Sequence, residues 1–207
     1  MPINHMTITK ITCSPNAIYD AADLLRYFAT DLEENSKAIF TTFGKVISGK
    51  DSGDLLFLSM FDGMADVENS FSRMEESEHW SKIYKLKGTN TPSTDIFSFL
   101  ETDFVELALK QPFYINLTYG YLDGVTEEEF IGSVNRMTGA FSESGALTMR
   151  LAKCLIGRYL ESFLFGITSN SLEDFHSSAC AMAQDEHFEQ FSKHFNRKGS
   201  SLLKFLG

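Results

Sequence analysis

Cysteine is scarce in these 207 residues: Cys13, Cys154 and Cys180 are the full set. They lie far apart, with no CxxC pair and no zinc-ribbon spacing. That excludes a disulfide framework or a cysteine-built zinc site, predicts three free thiols, and fits a reducing, cytoplasmic compartment. Basic residues are also in the minority, 18 against 28 acidic, for a formal charge of −10. Neither half escapes: 9 basic minus 16 acidic gives −7 over residues 1–105, and 9 minus 12 gives −3 over 106–207. A chain of that sign repels phosphate backbones and anionic lipid, so neither nucleic acid nor a membrane surface is an expected partner. No window approaches 18 uninterrupted apolar residues, and the opening Met-Pro-Ile-Asn-His-Met has no basic region leading into an apolar run. Neither a membrane span nor a secretion signal is expected. Phosphate loops, nucleotide-binding glycine fingerprints and nucleophile elbows are missing too, and no cofactor is expected.

What is present suffices for a folded protein: 43% of residues are hydrophobic, and 14 glycines bring the apolar share near the globular range. Laid over itself at an offset of 108, the chain matches Asp54–Lys85 to Ser162–Lys193 without a gap. Identical pairs include Leu56/Leu164, Phe57/Phe165, Asp66/Asp174, Met74/Met182, Glu78/Glu186, His79/His187 and Lys85/Lys193. The signals around them also recur in one order. A β-rich run opens each half, Met6–Cys13 and Phe113–Leu122. A helix follows, with Ile18, Ala21, Leu25, Phe28 and Leu32 at intervals of three and four in one, and Phe130, Val134, Met137 and Phe141 in the other. Thr126 and Glu129 form a capping-box pair before the second. Two strands come next, about Ala38–Ser48 with Leu55–Phe61 and Met149–Ile156 with Tyr159–Ile167, turning at Gly49–Gly53 and near Gly157. A second helix carries Val67, Phe71 and Met74, or Leu172, Phe175, Ala179 and Met182 behind a Ser171 cap. Short helices at Ser77–Leu86 and Asp185–Phe195 lead into closing strands at Asp95–Leu100 and Ser201–Leu206. The pattern predicts two ferredoxin-like βαββαβ units, 1–105 and 106–207, joined by a linker at Glu101–Gln111.

That order, with Ser-Glu-His-Trp at 77–80, Asp-Glu-His-Phe at 185–188 and the strand-ending Phe61-Asp62, resembles the dimeric α+β barrel superfamily, including its antibiotic-biosynthesis-monooxygenase-like members. The resemblance implies an α+β fold in which two tandem units pack sheet to sheet as a pseudo-dimeric barrel with helices outside. It also implies a small, apolar or aromatic ligand and a cofactor-independent monooxygenase or isomerase activity. A non-catalytic binding or interaction module is the alternative. Haem is a further one, since some tandem barrels, such as chlorite dismutase-like proteins, hold it through one axial histidine, a place that His176 or His187 would take here. A tandem chain closes its barrel alone, leaving a homodimer through exposed strand edges as an option.

His79 and His187 are the candidate proton shuttles, imidazole being the side chain best placed to exchange protons near neutral pH. The competing reading makes each a structural residue at a helix junction. Glu75, one turn before His79, is placed to orient it. His187 and His194 lack the third ligand that a metal site needs, so no metal is expected. Alternation along Phe113–Tyr121 sets Phe113, Ile115, Leu117, Tyr119 and Tyr121 against Tyr114, Asn116 and Thr118. Tyr114 and Asn116 then become candidate ligand contacts, offering a hydroxyl and an amide. Trp80 is expected at the pocket's mouth or wall, and Arg150 as the cation for an anionic group, while Arg158 is read as exposed near a turn.

Overall fold

Alternating and helical apolar spacings resolve into fourteen elements in a computed structural model that describes residues 3–104 and 114–207. The first half runs β1 (His5–Ile11), α1 (Ile18–Asn35), β2 (Phe40–Gly49), β3 (Leu55–Phe61), α2 (Met64–Glu76), α3 (Glu78–Lys85) and β4 (Ser93–Leu100). The second runs β5 (Tyr114–Leu122), α4 (Glu127–Glu143), β6 (Thr148–Ile156), β7 (Phe163–Ser169), α5 (Leu172–Gln184), α6 (Phe188–His194) and β8 (Phe195–Phe205). The predicted linker at 101–111, most of it, and Phe113 fall outside the described residues, as does the expected boundary between 105 and 106.

All pairings are antiparallel, and their order is β1-β3-β2-β8-β5-β7-β6-β4, returning to β1. Each half therefore has the ferredoxin-like order, and the two expected sheets are hydrogen-bonded into one barrel at the β2–β8 and β4–β6 seams. Closure gives every described strand two neighbours, which corrects the expectation of exposed edges for a homodimer.

The offset of 108 relates β3 to β7 and α2 to α5 residue for residue. It also exposes an identical pair that sequence reading passed over, Ser70 and Ser178, each 1% exposed. Three apolar clusters follow. One, with Met6, Ile8, Leu58, Leu117, Tyr119 and Leu164, fills the barrel's lumen from both halves. Another packs α1, α2 and α3 on the first half's outer sheet face, and a third packs α4, α5 and α6 on the second's.

Local signals act as expected at the helix starts. Thr126 Oγ1 accepts from the Glu129 backbone N–H at 3.2 Å, while the Glu129 carboxylate accepts from the Thr126 N–H at 2.8 Å. Ser171 Oγ accepts from the Asp174 N–H at 3.0 Å. Two strands differ from expectation. β7 starts at Phe163, not Tyr159, because Gly157 (φ 128°) and Glu161 (φ 65°) turn the chain back. Tyr159 is left to stack on Tyr119, ring centres 4.5 Å apart, across one end of the lumen. β8 starts at Phe195, six residues early, pairing with β5 back to Leu122 across a bulge. At the plugged end Arg158, exposed as expected, reaches down to Asp95 at 2.6 Å, whose side chain is 1% exposed. That pairing is what a buried carboxylate needs.

Candidate functional site

On α5, Phe175, Ala179 and Met182 recur at intervals of four and three, and α6 with its exit adds Phe188, Phe191 and Phe195. These residues roof the second half's sheet without filling the space beneath. A cavity of about 250 Å³ remains, floored by Asn116, Thr118, Phe165, Ile167 and Ser200. Its origin lies in the repeat. In the first half Trp80, 3% exposed, packs on Phe28 and Phe57 with ring centres 4.8 and 6.3 Å away. The matched residue at the offset of 108 is the smaller Phe188, only half-buried and stacked along Phe191 at 6.1 Å.

The floor is polar at one spot. Ser200 Oγ donates to Asn116 Oδ1 at 2.8 Å, Asn116 Nδ2 donates to Thr118 Oγ1 at 3.2 Å, and the Thr118 and Ser200 hydroxyls lie 3.2 Å apart. A primary amide has two donor hydrogens and two acceptor lone pairs, so one of each remains beyond these bonds for a ligand. Arg197 stands at the cavity's edge, exposed, and a hollow lined by Arg197, Lys198, Gly199 and Ser48 adjoins it. The approach to the cavity is thus cationic on a chain of net charge −10.

The predicted site residues are not gathered there. Asn116 is on the floor, whereas Tyr114, two residues before it on the same face, does not line the cavity. Trp80 belongs to the first half's helix–sheet core, where size and apolarity bury it. His79 stacks its ring on Tyr27 at 5.1 Å, with an interplanar angle of 19°, and this ring is its packing partner rather than Glu75. His187 stands at the start of α6 with no side-chain capping hydrogen bond: its backbone N–H donates to Asp185 Oδ1 at 2.8 Å and its Nε2 lies 3.6 Å from Glu186 Oε1. His176 is exposed beside Cys180, Nε2 to Sγ 3.6 Å. Neither this cavity nor the lumen described next is lined by a histidine, so the donor set does not fit an axially ligated haem. Among the described residues no three His, Cys, Asp or Glu side chains cluster as metal ligands.

Arg150 lies elsewhere, on a second cavity of about 220 Å³ inside the barrel, whose walls include Met6, Leu58, Met60, Phe99, Leu117 and Leu164. The lumen's far end is chemically quiet. Burial, with Tyr159 and the charge of Asp95 nearby, holds the Tyr119 hydroxyl well above its ordinary pKa, and burial pushes the Cys154 thiol up to about 11. Thr118 is on the face of β5 that alternation marks as offering an amide and hydroxyls. What sequence reasoning missed is Ser178, Arg197 and Ser200: Ser178 is a small residue on the α5 roof, and Arg197 and Ser200 sit in a polar, low-signal stretch that pairing of β8 with β5 brings beside the floor.

No helix is long and apolar enough to cross a membrane among the described residues. No curated protein matches the chain. Solved structures share its fold at low identity. A candidate monooxygenase from Lactobacillus acidophilus NCFM is 11% identical with a TM-score of 0.66, covering 100% of both chains. An anthrone oxidase-like protein is 13% identical with a TM-score of 0.59, over 98% of this chain and 92% of that one. A mutant chlorite dismutase from Candidatus Nitrospira defluvii is 13% identical with a TM-score of 0.64, over 100% and 93%. The fold is the dimeric α+β barrel fold, with both ferredoxin-like units in one chain. The family described as a domain of unknown function, DUF6854, matches residues 3–98 and 112–199, and to that family the chain belongs.

Proposed function

We propose that this chain binds a phenolic aromatic molecule in the cavity under α5 and α6 and oxygenates it without a protein-held redox group. The observation that carries the binding is the Asn116–Thr118–Ser200 triangle on the floor of a phenylalanine-lined cavity, a few convergent polar groups in an apolar site. A 150 Å³ apolar cavity takes benzene, so by proportion 250 Å³ takes about ten non-hydrogen atoms, the size of a naphthol. The ring would lie against Phe188 and Phe191, its hydroxyl on the Asn116 amide, and Arg197 would favour the phenolate. Oxygenation is supported by the fold shared with a candidate monooxygenase and an anthrone oxidase-like protein, and by chemistry: an electron-rich phenolate can itself reduce oxygen. We assign His79 and His187 structural roles, because neither lines the cavity. Three free thiols support a cytoplasmic setting. A homodimer would have to pair helical faces, there being no open strand edge among the described residues.

Calorimetric titration with 1-naphthol tests the site. Wild type should bind, and Ala179→Phe, which puts a ring into the cavity, should weaken binding by about tenfold or more. Unchanged affinity in that variant would discard the site. Oxygen uptake with bound naphthol separates enzyme from binder: uptake that persists in His187→Ala supports the oxygenase, and binding without uptake leaves only the non-catalytic module.

A further inference from the structure

The cavity under α5 and α6 adjoins a hollow that shares four of its lining residues, Asn116, Phe175, Arg197 and Ser200. Among the described residues neither space is lined by an aspartate or a glutamate, on a chain that has 28 of them. The two cations of the hollow come from one irregularity in β8. Tyr119 pairs with Gly199 and Gly120 with Arg197, so Lys198 is the extra residue of a bulge. In a regular strand Arg197 and Lys198 would point to opposite faces; the bulge lets both line the same hollow. The stem of a third cation, Lys50, runs beside Gly199, where a Cβ would meet Lys50 Cδ at 3.6 Å.

Arg197 also differs from the other arginines. Arg26, Arg73 and Arg158 pair with carboxylates, and Arg136 donates to Ser133 Oγ at 3.0 Å. Arg150 is engaged as well, its guanidinium carbon 5.1 Å from the centre of the Phe99 ring. Arg197 lies exposed, its guanidinium without a partner among the described residues. An unpaired guanidinium and an ammonium at the edge of an aromatic-lined cavity suit an anionic group on an aromatic body. The planar guanidinium fork matches a carboxylate in two-point hydrogen bonding.

We propose that the molecule held under α5 and α6 is a hydroxyaryl carboxylate, with its acid group in the hollow on Arg197 and Lys198. The proposal rests on the phenol reading and narrows it: rings against Phe188 and Phe191, hydroxyl on the Asn116 amide, and the acid at the opposite end. A bicyclic body of about ten non-hydrogen atoms already fills 250 Å³, so the acid must project beyond it, and the hollow is the adjoining space. At long range the chain's charge of −10 repels an anion, so a preference for the acid over a neutral analogue reports the local cations.

The probes are 6-hydroxy-2-naphthoate and 6-hydroxy-2-naphthamide, alike in rings and hydroxyl and different in charge. In calorimetric titrations at neutral pH and low salt, wild type should bind the acid about fivefold or more tightly than the amide. That advantage should shrink as salt is raised. The double variant Arg197→Gln, Lys198→Gln changes two exposed positions and should bring the ratio to one or reverse it. The wild-type comparison needs no variant to fold. Equal binding in wild type, or a preference that the double variant keeps, overturns the proposal and leaves the phenol site standing. If wild type binds neither probe, the phenol site falls and the proposal with it.

Discussion

Single substitutions between matched positions make the two halves unequal. Trp80 against Phe188 goes with a cavity under the second half's helical layer, and Leu58 against Gly166 with one in the lumen. The place of Asn116 on the helix-facing side of β5 was legible because strand alternation separates it from Ile115 and Leu117. Trp80 was misplaced because an indole on an amphipathic helix has the same signature whether it fills a core or lines a pocket. The histidines that match between the two copies are signalled by their chemistry, yet one stands at a helix start beside Glu186 and the other packs on a tyrosine. The cysteines offer a sharper residue-scale test. Burial pushes the Cys13 and Cys154 thiols up to about 11, the charge of Asp54 adding to the first, while Cys180 is exposed. Because the thiolate is the reactive form, native protein at about pH 8 should give one fast thiol with a disulfide reagent, and denatured protein three. Three fast thiols in the native state would contradict the partial burial of Cys13 and the burial of Cys154.

Elements were legible where a local rule defines them. The capping box of α4 and the Ser171 cap of α5 are spelled out within four residues, and both form. β7 and β8 were displaced for a physical reason: Tyr159-Leu160 reads as strand but is turned back at Glu161, and the polar run Asn196–Ser200 hides a strand specified by pairing with β5. The α4 cap carries a pH signature. The Thr126 backbone N–H, then its hydroxyl, hold the Glu129 carboxyl below its ordinary value of 4.5. A carboxyl depressed in the folded state stabilises above its unfolded pKa and stops doing so as the pH falls through the folded one. Glu129→Ala should therefore melt below wild type at neutral pH, and the two melting temperatures should converge in acid below that depressed value. A gap that persists unchanged there would place the effect in helix propensity, not in the cap.

At the scale of the molecule, the repeat implied a pseudo-two-fold and a barrel, but not how the barrel closes. Seams between β2 and β8 and between β4 and β6 join residues more than fifty positions apart, through backbone groups that carry no sequence signal. One trace of them exists: a Cβ at Gly44 would come within 2.7 Å of the Lys204 carbonyl oxygen, so the β2–β8 seam tolerates no side chain there. Closure fixes β8 beside β5, and that brings Ser200 to Asn116 and Thr118. The fold thus creates the polar floor from residues 84 apart in sequence. The most direct test follows the Asn116 side-chain amide by nitrogen-15 NMR during titration with 1-naphthol. The Asn116 amide hydrogens and the Phe188 and Phe191 ring signals should move together and saturate at one stoichiometric equivalent. Saturating naphthol that leaves them in place, or that moves Met6 and Met60 of the lumen instead, would contradict a ligand site under α5 and α6.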